Sequence, residues 1–255
     1  REIAALQDAG VKVGTVAHGS DVRLPSLHRK LEPFSPFGES FPHLEAVEER
    51  VQRNHDLLDE LGLPEFVSTP DLLQFRPNAT WLPTVTDYDK WAGLDPSRLG
   101  ERKPVVLHFP SNRPALKGAA HIDAALSRLD EEGVIEYLRA VDIPFDQVPE
   151  LVQRSDIVVN QVGMGLYAMV AIEAMMAGRV VVSQVWDSVR DAVRAKANMD
   201  APVVEANPDT IYDVVKEIAQ HPDRYAHLGP AGQAFAKRVH TKASAAEVLA
   251  GFLDS

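Results

Sequence analysis

Two basic side chains four residues apart could hold a phosphate. Arg113 and Lys117 lie in the segment Pro110-Ser111-Asn112-Arg113-Pro114-Ala115-Leu116-Lys117-Gly118, after the apolar run Val105-Val106-Leu107 and before a helical pattern. A helix start presents free N–H groups and positive potential, so it favours an anion. Arg113 supplies a planar fork for phosphate oxygens, and Lys117 a point charge. Residues 98–128 hold six Lys/Arg (98, 102, 103, 113, 117, 128) and two acids (101, 123), a local +4 in a chain of formal net charge −11. The segment lacks the glycine-lysine spacing of a Walker A loop. A solvated basic loop is the plain alternative.

A second loop, Gln161-Val162-Gly163-Met164-Gly165-Leu166-Tyr167-Ala168, fits Gly-x-Gly-x-x-Ala between a strand and a helix pattern, and Asp187 follows the next strand. Gly163, Gly165, Ala168 and Asp187 together satisfy the letter of a dinucleotide fingerprint. Glycines needed only for a tight turn explain the same letters. Beyond the turn, Glu173 is the one carboxylate in the apolar run Met169-Val170-Ala171-Ile172-Glu173-Ala174-Met175-Met176. A carboxylate there is costly unless it receives hydrogen bonds. Either buried donors of the protein or hydroxyls of a ligand would supply them.

Alternating strand and helix signals must position these groups. Residues 1–9 read as the end of a helix closed by Gly10, 11–17 as a strand, 22–42 as an irregular loop, and 43–61 as an amphipathic helix ended by Gly62. Short strands are expected at 65–68 and 80–82, and 83–100 reads as a boundary without periodicity. A denser series follows: strands at 104–109, 134–141, 157–161, 180–183 and 203–205, and helices at 119–129, 146–154, 165–177, 187–197, 208–220, 224–238 and 243–253. This order predicts an α/β chain with doubly wound parallel sheets, whose ligands sit at the carboxyl ends of the strands.

Composition narrows the function. The 255 residues can bury a core unaided, and the absence of cysteine excludes disulfides, thiolate metal sites and a cysteine nucleophile. The acidic balance disfavours non-specific binding of nucleic acid. The longest apolar stretch, 162–172, is too short to span a bilayer, and no signal-peptide pattern opens the chain. A cytoplasmic location is the expectation. Peripheral membrane contact through residues upstream of Arg1 stays open, since the chain does not start with Met.

Three stretches taken together resemble the nucleotide-binding half of a GT-B glycosyltransferase of the retaining family 4 type. They are Ser111-Asn112-Arg113-Pro114-Ala115-Leu116-Lys117-Gly118, then Ser155-Asp156-Ile157-Val158-Val159-Asn160-Gln161, then Ile172-Glu173-Ala174-Met175-Met176-Ala177-Gly178-Arg179-Val180-Val181-Val182. Upstream, Val16-Ala17-His18-Gly19-Ser20-Asp21-Val22-Arg23 resembles the strand of that family ending in a histidine that faces the transferred sugar and the acceptor.

The resemblance implies two Rossmann-like domains, the N-terminal one incomplete: a partial acceptor-side domain at 1–85, a donor domain at 86–240, and a last helix at 241–255 packing back on the first. It implies transfer of a sugar from a nucleoside diphosphate sugar to a hydroxyl acceptor, with retention and without cofactor or metal. His18, Arg113 and Lys117 would be catalytic. Ser111, Asn112, Gln161, Gly163, Gly165 and Glu173 would bind the donor with Arg113 and Lys117, Glu173 taking the ribose. Where many members of the family place a glutamate against the sugar, this chain has Gly165. An NAD(P)-dependent oxidoreductase built on the glycine turn, and a non-catalytic nucleotide-sugar-binding module, are the competing readings.

Overall fold

The computed structural model describes residues 2–110 and 113–254. The first stretch contains α1 (Glu2–Asp8), β1 (Thr15–Ala17), α2 (Gly19–Val22), α3 (Pro25–Leu31), α4 (Leu44–Leu61), β2 (Glu65–Val67), a 3-10 turn at Pro70–Gln74, and β3 (Thr80–Trp81). The three strands form one parallel sheet in the order β1-β2-β3. The segment 22–42 is less irregular than its prolines and serines suggest. Pro25 takes the first helical position of α3, where its missing N–H costs nothing.

After β3, a short helix α5 (Tyr88–Ala92) occupies part of the expected boundary, capped by the Asp87 side chain accepting from Lys90 N–H. The rest alternates: β4 (Val105–His108), α6 (Pro114–Lys117), α7 (Ala119–Glu131), β5 (Glu136–Arg139), α8 (Val148–Arg154), β6 (Ile157–Val159), α9 (Met169–Met176), β7 (Val180–Ser183), α10 (Asp187–Ala197), β8 (Val203–Glu205), α11 (Ile211–Gln220), α12 (Leu228–Val239) and α13 (Lys242–Asp254). Five parallel strands line up as β5-β4-β6-β7-β8.

That order contains a reversal. The chain moves from β4 outward to β5, then returns across β4 to build β6, β7 and β8. A crevice opens where the loops after β4 and β6 part in opposite directions, and ligands of open α/β sheets sit in such crevices. The loop carrying Arg113 follows β4, and the loop carrying Gly163 follows β6. All residues of β4, β6 and β7 are buried, as strands covered by helices on both faces require.

Two crossings join the sheets. Thr86 N–H donates to His240 O over 3.3 Å, beside the second crossing at 240–242. The His240 ring, fully buried, bonds Thr84 O (2.9 Å) through Nδ1 and Tyr167 Oη (3.2 Å) through Nε2. A Nδ1–H donor to Thr84 leaves Nε2 to accept from the Tyr167 hydroxyl. Beyond it, α13 lies on the first sheet: Phe252 packs edge-on against Phe66 of β2, and Lys12 Nζ donates to Leu253 O over 2.6 Å.

Candidate active site

The carboxyl ends of β1 and β2 face those of β4 and β6 across a cleft of about 330 Å³. One wall carries His18, Gly19, Arg23, Ser68 and Thr69, and the other Arg113, Lys117, Gln161, Met164 and Leu166. The cleft thus brings together four of the candidate residues: His18, Arg113, Lys117 and Gln161. Ser111 and Asn112 lie outside the described residues.

Each of the four is held by its local structure. His18 follows β1 directly and opens α2, its backbone N–H donating to Asp21 Oδ2 over 2.8 Å. Arg113 caps α6 at its exposed N-terminal end, with Pro114 in the first helical position. One turn later, Lys117 Nζ donates to Phe109 O over 2.9 Å, which folds the loop after β4 back on itself. Burial lowers the Lys117 pKa from its ordinary value. A half-buried cation with donors to spare is better relieved by an anion than by water. Gln161 donates to Leu166 O over 2.7 Å and braces the glycine loop from within.

The glycine turn is built for a different purpose than the sequence suggests. Gly163 and Gly165 are buried and absent from the cleft walls. Both have left-handed φ values, +101° and +73°. A Cβ on Gly163 would lie 2.6 Å from Phe34 O, and one on Gly165 2.1 Å from the Trp186 indole. Protein atoms thus stand where a side chain on either glycine would be. α9 also begins at Met169, four residues later than expected, so the turn does not open directly onto a helix start. The dinucleotide reading needs these glycines and Asp187 at one site, and the structure does not bring them into one cleft. Asp187 opens α10 and lines a separate groove with Glu32, Trp186, Arg190 and Glu205.

What covers the turn is a polar clasp between the two bodies. Glu32, 2% exposed at the end of α3, accepts from Trp186 Nε1 (2.8 Å), Gln184 Nε2 (2.9 Å) and Phe34 N–H (2.8 Å). Gln184 Oε1 in turn accepts from Gly163 N–H. Glu32, Gln184, Trp186 and Arg23 escape sequence reasoning. Arg23 alone left a signal, standing five residues after His18 in the same stretch.

Glu173 sits in the second turn of α9, 5% exposed and outside the lining of the cleft. Its carboxylate has no hydrogen-bond partner among the described residues. Burial pushes its pKa up to about 7, against the pull of Lys90 on α5. His108 at the end of β4 is also buried, its Nδ1 2.9 Å from Val159 O, and burial lowers its pKa to about 4. Among the described residues no group of three His, Asp or Glu side chains is arranged to hold a metal ion, and no helix is long and apolar enough to cross a membrane.

No protein family's sequence profile matches the chain, and no curated protein matches it by sequence. Solved structures do match. Sucrose-phosphate synthase from Thermosynechococcus elongatus superposes with a TM-score of 0.64 at 14% identity, over 99% of this chain and 70% of that one. HepE of Anabaena, determined in complex with UDP and glucose, gives 0.62 at 15% identity, over 100% of this chain and 74% of its own. WaaG, a glycosyltransferase involved in lipopolysaccharide biosynthesis, gives 0.52 at 13%, over 96% and 80%. The two parallel sheets, their reversal point and the cleft between them are those of the GT-B glycosyltransferase fold.

Proposed function

We propose that this chain transfers a sugar from a nucleoside diphosphate sugar to an acceptor hydroxyl, with retention, as family 4 glycosyltransferases do. One observation carries the reading. Arg113 and Lys117, on the loop that opens at the sheet's reversal point, face His18 of the other body across one cleft. The bond between the anomeric carbon and the diphosphate oxygen breaks, and its electron pair stays on the diphosphate. The acceptor oxygen bonds to the anomeric carbon, and its proton passes to the departing diphosphate oxygen.

Each group in the cleft has a part in that step. Negative charge grows on the diphosphate oxygens as the bond breaks. Arg113 and Lys117, preorganised by Pro114 and by Phe109 O, stabilise it without reorganising. His18 stands on the wall where transferred sugar and acceptor meet. Glu173 accepts from the ribose hydroxyls: it is a buried carboxylate without a protein partner, and it lies on the helix after the loop that carries Gln161. Gly163 and Gly165 act through the clasp, which fixes the loop carrying Gln161, Met164 and Leu166. The reaction requires no cofactor, and the two cations take the place of a metal.

Retention and donor class have a direct test. A panel of nucleoside diphosphate sugars is screened by thermal shift, and the stabilising donor is incubated with candidate hydroxyl acceptors. The product anomer is then read by NMR. The reading expects a stabilising nucleotide sugar, loss of that shift in Arg113→Ala, and a product of the same anomeric configuration as the donor. Stabilisation by NAD(P) with none by any nucleotide sugar would overturn it.

A further inference from the structure

Arg23 lines the cleft on the wall of His18, and its guanidinium is under-used by the protein. The residue is 9% exposed. Nη2 contacts Asp71 Oδ2, an ion pair between two buried side chains. Nε is buried without a partner. Asp71 is the acceptor the guanidinium meets, and Nε is the donor shut off from solvent without a partner. Asp71 is fully buried, so the acid stands away from solvent and the cation toward the cleft. Its second oxygen is also unpaired, so the pair is not the two-pronged geometry an Arg–Asp pair adopts when it serves only the core.

The guanidinium of this arginine lies against Gly19. A Cβ on Gly19 would lie 2.4 Å from Arg23 Nη1, so a side chain there would oblige the guanidinium to move from its place. The guanidinium therefore rests against the backbone that carries His18. A cation this buried with a single acceptor and an unmet Nε–H is expensive, and an anion in the cleft relieves it best.

We infer that Arg23 binds an anionic group, a carboxylate or a phosphate, on the acceptor, so that the acceptor substrate is negatively charged near the hydroxyl that takes the sugar. The inference rests on the glycosyl-transfer reading and deepens it. Arg113 and Lys117 match the donor diphosphate from the opposite wall. A further cation beside His18 faces the acceptor side of the reaction and selects what enters there. Arg23 is then a specificity-determining residue, with Gly19 and Asp71 fixing its place.

The test uses the full chain and three probes of like size: glucose, glucuronate and glucose 6-phosphate. Their affinities are measured by calorimetry with and without saturating UDP. The expected result is that at least one anionic sugar binds about ten-fold or more tighter than glucose, the factor of a charge-assisted hydrogen bond. Whether glucuronate or glucose 6-phosphate gains tells carboxylate from phosphate. Arg23→Gln should erase the preference while leaving UDP affinity within about two-fold. Should Arg23→Gln fail to fold, Gly19→Ala keeps both charges, displaces the guanidinium and should erase the preference too. Three results overturn the inference: equal binding of all three sugars by the unaltered chain, a preference that survives both variants, or one lost in Arg113→Ala but kept in Arg23→Gln. Failure of UDP to bind counts against the glycosyl-transfer reading alone, because the UDP-free arm still decides whether Arg23 holds an anion.

Discussion

The five-stranded sheet is held together by apolar side chains: Val105–His108, Ile157–Val159 and Val180–Ser183 are buried throughout, and among them only His108 and Ser183 are polar. Around the three-stranded sheet, whose core includes Val22, Val67, Leu72 and Trp81, polar pairs tie one element to the next. Arg23 pairs with Asp71, Arg76 with Glu65 and Asp59, His55 with Val22 O, and Glu32 with Gln184 and Trp186 of the other body. Apolar packing tolerates substitution of similar volume. Buried polar groups demand particular partners, and each lost partner leaves another group unsatisfied. Both bodies combine an apolar core with directional bonds, and what sets the first apart is that Glu32 carries such bonds across to the other body. Substitutions should act most sharply where such bonds cross between the bodies, and pH in both bodies, since His28 lies in the first and His108, Glu173 and His240 in the second.

Among single substitutions the largest effect is expected where the two bodies touch. Gly165→Ala combines a left-handed φ with a collision against Trp186, and the indole cannot move without leaving Glu32. A loss of about 2–4 kcal/mol in urea unfolding is predicted. Gly10 also has a left-handed φ but open space around it, so Gly10→Ala should cost only about 1 kcal/mol. Equal losses at the two positions would refute the clasp as the reason for Gly165.

Glu32→Ala comes next. It strands the Trp186 indole N–H and the Gln184 amide, and should cost about 2–3 kcal/mol. The radius of gyration by X-ray scattering should rise as the bodies part, and Trp186 fluorescence should shift to the red. Loss of stability at unchanged radius would make Glu32 a local brace and not a clasp.

A pH series separates opposing groups. His28, His108 and His240 are each lowered to about 4 by burial, with the Arg23 charge adding to the effect at His28. As pH falls below about 6.5 the unfolded chain takes up protons that these folded histidines refuse. Stability is then lost down to pH 4, at up to about 1.4 kcal/mol per pH unit for each histidine. Glu173 has the opposite sign. Its folded pKa, about 7, stands above the unfolded value, so its contribution to stability is full below about 4.5 and disappears as pH rises through 7. Three histidines against one carboxylate predict a melting temperature that drops from pH 6.5 to pH 4. A flat profile would contradict the buried, neutral histidines.

The smallest effect carries an unusual sign. Glu173→Gln should stabilise the empty protein at pH 8 by about 1–2 kcal/mol, because a buried carboxylate without a partner is replaced by a neutral amide. The same change should weaken nucleotide binding. A destabilised variant would instead reveal a structural partner for Glu173.

Where the sequence was legible, apolar runs were the reason. Val105-Val106-Leu107, Ile157-Val158-Val159 and Val180-Val181-Val182 mark β4, β6 and β7, and the loops that follow them hold Arg113, Lys117 and Gln161. The glycine turn misled because close approach by a phosphate and close approach by Phe34 O or Trp186 require the same residue. Phe34 lies more than a hundred residues from Gly163, and no local pattern reports that contact. The clasp was hidden for the same reason: Glu32, Gln184 and Trp186 become a unit only when the bodies meet. Helix α3 was readable from Pro25 at its first position, but the prolines and phenylalanines after it obscured the signal.

Titration of the chain with UDP by calorimetry, beside Arg113→Ala and Lys117→Ala, tests the central claim most directly. The account predicts saturable one-to-one binding at neutral pH, and affinity lowered by about 1.5–3 kcal/mol, or ten- to about a hundred-fold, in each variant. Melting temperatures of both empty variants should stay close to that of the unaltered chain, since neither side chain is part of the core. UDP affinity that is the same in the unaltered chain and in both variants would contradict it.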